Sequence, residues 1–170
     1  MPATPPDFDA PFFRTALGRF ATGVTVVTAM SEEGQPIGMT VSSFNSVSLN
    51  PPLVLWSLSR ASSSLAALQQ CQRYVINVLS ADQLALAKRF ASGSAPDRYA
   101  GVHTRRAPGG TLMLGSECAA WFECHNRSRY EEGDHVIMVG EVEHCGHSGA
   151  LPLVYHAGGF DLTPQPEPMR

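Results

Sequence analysis

The sequence is short of charge. Charged residues fill 16% of its 170 positions, with 12 Lys and Arg against 15 Asp and Glu, for a net charge of -3. No basic run or stripe is present, so the footprint of a nucleic-acid binder is missing. No apolar run approaches the roughly 18 residues that span a bilayer. The first ten residues, MPATPPDFDA, have neither a basic segment nor an apolar one, so no secretory leader is expected and a cytoplasmic protein is. There is no CxxC pair among Cys71, Cys118, Cys124 and Cys145, which argues against a disulfide framework and for reduced thiols. His144, Cys145 and His147 lie too close in sequence to supply a tetrahedral metal site alone, so no metal is expected. No internal repeat is visible, and no GxGxxG follows a strand.

What is there suits one domain with a real core, since 44% of the residues are hydrophobic. Phe8, Phe12, Phe13, Leu17 and Phe20 recur at near-helical spacing behind Asp9, a possible N-cap. The β-branched run Val24–Thr28 predicts a strand, followed by a turn at Glu33-Gly34. Further strands are predicted at Leu53–Leu58, at Tyr74–Leu79 (buried apart from Asn77) and at Leu153–His156. Short helices are predicted over Ser62–Gln70 and after Ser80, where Gln83 completes a capping box. Residues 92–111 read as loop. Glu117–Arg129 and Asp134–Cys145 read as two long strands joined by a hairpin at 130–133. The sum is roughly six or seven strands with three short helices, a mainly antiparallel β-barrel.

One stretch stands apart. GMTVSSFNSVSLNPP, residues 38–52, is rich in hydroxyls and amides and has no charged residue. Read as one strand, it puts Thr40, Ser42 and Ser46 on one face. Such a strip is either an ordinary solvent-facing strand or a set of neutral partners for a planar heteroaromatic ring, such as the edge of a flavin. Residues 57–64, SLSRASSS, sit between a strand and a helix. They can cradle a phosphate or simply cap the helix. Arg89 can clamp a phosphate or offset the helix dipole. His135, next to the hairpin turn, can simply help to close it.

The segments GVTVVTA, GMTVSSFNSVSLNPPLVLWSLSR, YVINVLS, LAKRFA, GDHVIMVGEV and PLVYHAGGF, in that order, resemble the flavin reductase-like family of FMN-binding split barrels. The likeness runs from about residue 12 to 162, leaving loose ends at 1–7 and 163–170, and is strongest to reductase components of two-component flavin-dependent monooxygenases. It implies a mainly β, antiparallel split β-barrel with a few short flanking helices, in a single domain. It also implies a homodimer and transfer of hydride from NADH or NADPH to FMN or FAD. The reduced flavin would go to a separate oxygenase. By position, the isoalloxazine would contact Thr40, Val41, Ser42, Ser43 and Ser46. The ribityl chain and phosphate would meet Ser57, Leu58, Ser59, Ser62 and Ser64, with Arg89, Phe90 and Ala91 near the phosphate. Gly133, Asp134 and His135 would lie beside flavin and nicotinamide, and Tyr155 and His156 would border the site. Asn50 replaces an Asp common before the two prolines, a change expected to alter a turn and not chemistry. A flavin-binding protein without turnover and an oxidase of the pyridoxamine-phosphate type are the rival readings, the second weakened by the few basic residues here.

Overall fold

The computed structural model describes residues 4–162. Among them, twelve strands and four α-helices follow one another along the chain. The strands are β1 (Thr22–Gly23), β2 (Thr25–Met30), β3 (Pro36–Val41), β4 (Asn45–Leu49), β5 (Pro52–Ser59), β6 (Arg73–Val78), β7 (Thr104–Arg106), β8 (Leu112–Leu114), β9 (Ala120–Glu132), β10 (His135–His147), β11 (Leu153–His156) and β12 (Gly159–Leu162). The helices are α1 (Ala10–Leu17), α2 (Leu65–Gln70), α3 (Leu84–Ala91) and α4 (Ala95–Tyr99). The fold is mainly β, with antiparallel sheets and a few short helices.

Seven strands form the main sheet in the order β3-β2-β6-β9-β10-β5-β4. Its two edge strands, β3 and β4, are neighbours in sequence. Four residue steps join Val41 to Asn45, a reach of about 14 Å. Six strand spacings in a flat sheet would put the edges about 29 Å apart. The sheet must therefore curl until its edges meet. They do not pair with each other, which leaves the split of an open barrel. Ser43 bridges the gap: its hydroxyl donates to the Ser57 carbonyl at 3.1 Å and accepts from the Ser57 N–H at 2.9 Å.

Alternation sorts the side chains. On β5, Val54, Trp56 and Leu58 are buried while Ser57 and Ser59 stay half-buried on the other face. Trp56 meets Tyr74 edge-on at 5.5 Å inside the barrel, among Val27, Leu68, Ile76 and Met138. A second core of Val26, Leu79, Ala87, Phe90 and Leu153 lies beneath α3. The β7–β8 hairpin is a flap pinned from below. Glu123, fully buried, accepts from the backbone N–H groups of Gly109 at 2.7 Å and Thr111 at 3.0 Å.

Several expectations change. The hydroxyl strip is two strands on opposite edges, so Ser42 and Ser46 share no face. The turn that divides it carries no glycine or proline to announce it. Asn77 is fully buried: its amide donates to the Val26 carbonyl at 2.8 Å and its oxygen accepts from the Leu114 N–H at 3.1 Å. Those bonds remove the cost of hiding it. The stretch 92–111 holds α4 and β7 where loop was expected, and β12 adds a strand. The long hairpin turns at Gly133-Asp134, with Gly133 at φ 59, so β9 runs on to Glu132. The Asp9 cap, the Gly34 turn and the capping box form as read, with the Gln83 side chain accepting from the Ser80 N–H at 2.9 Å. The Asn50-Pro51 peptide is cis, in the turn between β4 and β5. Residues 1–3 and 163–170, from the expected loose ends, lie outside the described residues.

Candidate active site

A cleft of about 290 Å³ opens where the two edges of the sheet approach. One wall is the end of β3 and the turn after it, residues Met39 to Ser43. The other is the end of β5, residues Ser57 to Ser59, with Ser62 beyond it and His135 at the start of β10. Register explains the last member, because His135 lies directly across from Ser59. Among the described residues, no Lys, Arg, Asp or Glu lines the cleft.

The hydroxyls divide by where their protons go. Thr40 donates to the Ala87 carbonyl at 2.7 Å, and Ser43 spends its proton on Ser57. These two serve the fold. Ser59 and Ser62 instead accept, from the N–H groups of Ala61 and Ser64, both at 3.3 Å. A hydroxyl that accepts from the backbone keeps its own proton for a ligand acceptor. The wall at 57–62 is thus rich in free donors. The wall at 39–43 belongs to an edge strand, whose alternate backbone groups face outward from the sheet.

His135 has its Nδ1 2.7 Å from Asp134 Oδ1, and its side chain is 47% exposed. That hydrogen bond, with the charge of the ring, holds the Asp134 carboxyl below its ordinary value. An Nδ1–H given to Asp134 leaves Nε2 to accept when the ring is neutral and to donate when it is protonated.

A second cleft of about 200 Å³ shares Thr40 and Ser42 with the first and is otherwise apolar, lined by Val24, Ala91, Tyr155 and Phe160. Tyr155 and Phe160 pack at 5.3 Å, at 62°. The remaining candidates stand elsewhere. Ser46 is exposed on β4, opposite Val54. Ser64 precedes α2 and His156 ends β11; neither lines a cleft named here. Arg89 donates to the Ala100 carbonyl at 2.6 Å and borders a separate depression with Lys88 and Ser92. Phe90 is a core residue, 1% exposed, and lines neither cleft. Met39, Val24 and Phe160 were not anticipated. Phe160 was legible in part, since Gly158-Gly159 after a strand is a hairpin signal. Ala157 and Gly158 make that turn at φ 50 and 82.

Residues 17–163 match the flavin reductase like domain. The chain belongs to the flavin reductase-like family. A probable flavin reductase of Rhizobium meliloti is 44% identical over 93% of this chain, and the chain spans 50% of that relative's length. An FMN reductase (NADH) of Agrobacterium fabrum is 47% identical over 87% of this chain and 83% of its own. The structure of the styrene monooxygenase flavin reductase from Pseudomonas putida S12 superposes with a TM-score of 0.79 at 32% identity, covering 91% of this chain and 98% of that one. That superposition shows that the two chains share a fold.

Proposed function

We propose that this flavin reductase-like chain transfers hydride from NADH or NADPH to FMN or FAD and hands the reduced flavin to a separate monooxygenase. The observation that carries the reading is the neutral, donor-sorted cleft at the split. Its residues fit a flavin. Free hydroxyl donors at Ser59 and Ser62 suit phosphate and ribityl oxygens. The outward backbone of β3, with Ser42 beside it, suits the alternating donors and acceptors of the ring edge. When bound, the flavin supplies the hydride acceptor, so the protein needs little acid-base chemistry of its own.

The chain's part is to hold and orient. The Thr40 and Ser43 bonds keep the β3 wall in place. His135, turned by Asp134, offers Nε2 to the amide of a nicotinamide laid over the cleft. Hydride transfer needs the donor carbon of the nicotinamide within about 3 to 3.5 Å of the flavin's acceptor nitrogen, and orientation is what one such contact supplies. The named activities of the Agrobacterium and Pseudomonas relatives support nicotinamide use and delivery to a monooxygenase. Residues 12–162 are read as one domain. The protein is read as a homodimer, supported by the exposed apolar face of α1, where Phe12 is 66% exposed and Phe20 just after it 75%. It is read as cytoplasmic, supported by four free cysteines.

The test is NAD(P)H oxidation with added FMN, FAD or riboflavin. Oxidation that depends on added flavin is expected, and flavin binding without turnover would overturn the reductase reading. His135→Ala sharpens it. Loss of one orienting hydrogen bond should slow flavin reduction about tenfold to hundredfold, with flavin affinity nearly unchanged. A normal reduction rate beside a lowered melting point would assign His135 to the hairpin alone.

A further inference from the structure

The outer edge of β3 is not left to solvent along its whole length. Its first half is held by α4, an element hidden in a stretch rich in Gly, Pro and Arg. Arg98 Nη1 donates to the Gly38 carbonyl at 2.7 Å. The Tyr99 hydroxyl donates to the Ile37 carbonyl, also at 2.7 Å. The Tyr99 ring packs edge-on against Phe90 at 5.0 Å, and a Cβ on Gly38 would fall 2.5 Å from Phe90 Cε1 and 2.6 Å from the Tyr99 oxygen. So β3 is pressed against α3 and α4 at a glycine, which alone allows that approach. Burial pushes the Tyr99 phenol well above its ordinary value, so it remains a donor at any working pH. Farther along the strand, Thr40 continues the same attachment through Ala87 on α3.

We propose that Arg98 and Tyr99 are positioning residues for the flavin: they fix the edge strand whose far end, Thr40 to Ser43, forms one wall of the cleft. This rests on the reductase reading above. An edge strand bonded on one side only frays, and a frayed wall cannot present a fixed row of donors and acceptors. Two part-buried bonds at residues 37 and 38, one of them charge-assisted, remove that freedom just before the wall begins. Neither side chain lines the cleft, so neither acts on the reacting atoms.

Two measurements on Tyr99→Phe, Arg98→Met and Arg98→Lys test this. The first is flavin affinity by equilibrium titration, with KM and kcat alongside. The second is amide hydrogen exchange over residues 37–43, without flavin. Tyr99→Phe and Arg98→Met should each weaken flavin binding and raise its KM about fivefold to tenfold, leaving kcat at saturating flavin and the KM for nicotinamide within about twofold. Exchange should quicken in 37–43 and not in β6 or β9. Arg98→Lys, which keeps a donor, should restore most of the affinity. Unchanged flavin affinity in both deletions, or unchanged exchange in 37–43, would overturn the proposal. A purely structural role would lower the melting point and leave the flavin KM alone, which also overturns it. If the wild-type chain takes no flavin, the reductase reading falls, and the exchange arm still decides whether α4 holds the strand.

Discussion

The two edges of the main sheet began as one stretch of sequence and ended as different surfaces. β3 and β4 are separated by three residues and drawn from the same small neutral side chains. Along β3, Thr40 is wired to α3, the carbonyls of residues 37 and 38 are held by α4, and the strand's end walls a cleft. Along β4 nothing comparable happens. Val47 is 50% exposed and Leu49 96% exposed, and Ser46 faces solvent. Composition alone does not make a site. What differs is what packs on the outer side: α3 and α4 both pack on β3, and α3 reaches β2 as well.

The largest expected effect separates the edges by ligand. Ser42→Trp would fill the cleft and should weaken flavin binding about hundredfold, near 2.7 kcal/mol, whereas Ser46→Trp should change it less than about twofold. Equal effects in a flavin titration would break the comparison. Next comes packing. Gly38→Ala forces a methyl against Phe90 and Tyr99 and should cost about 1 to 3 kcal/mol, while Val47→Ala on β4 should stay within about 0.5 kcal/mol. Denaturant melts of the two variants measure the contrast. The smallest effect lies at the join. Ser43→Ala removes both bonds to Ser57 and should cost about 1 to 2 kcal/mol, with flavin affinity falling only as far as the gap loosens. A variant as stable as the parent would show that the edges meet without that bridge.

Local signals carried much of this fold. The β-branched run at β2 and the capping box before α3 are written in neighbouring residues and formed where expected, and the long hairpin of β9 and β10 formed with its turn shifted to Gly133-Asp134. The break at 42–44 is not, because it depends on how far the sheet curls, a property of seven strands together. Asn77 looked solvent-facing since its three partners come from distant parts of the chain. α4 had two legible marks, Ser94 as N-cap and Pro96 in the first turn, outweighed by the glycines around them. The site reads the same way. The serines of 57–62 and the strip before 44 were visible as residue types. Which hydroxyls keep a free proton was not, since Thr40 and Ser43 spend theirs on carbonyls distant in sequence, Ala87 and Ser57. Phe90 sat in a family motif, yet its ring belongs to the core beneath Gly38.

The β7–β8 flap carries one of the protein's responses to acid. Burial works against the charge on Glu123, but the Thr111 hydroxyl and the N–H groups of Gly109 and Thr111 outweigh it and hold the carboxyl below its ordinary value of 4.5, with His144 adding a smaller pull. A group depressed on folding contributes fully above its unfolded value and loses that contribution as pH falls toward the folded one. Protonation turns an acceptor for two backbone donors into a group that competes with them. Acidification should therefore free the β7–β8 flap and uncover Thr28, whose hydroxyl bonds the Leu112 carbonyl at 2.6 Å. None of the flap's residues lines the cleft, so this loosening would not begin in the binding wall itself.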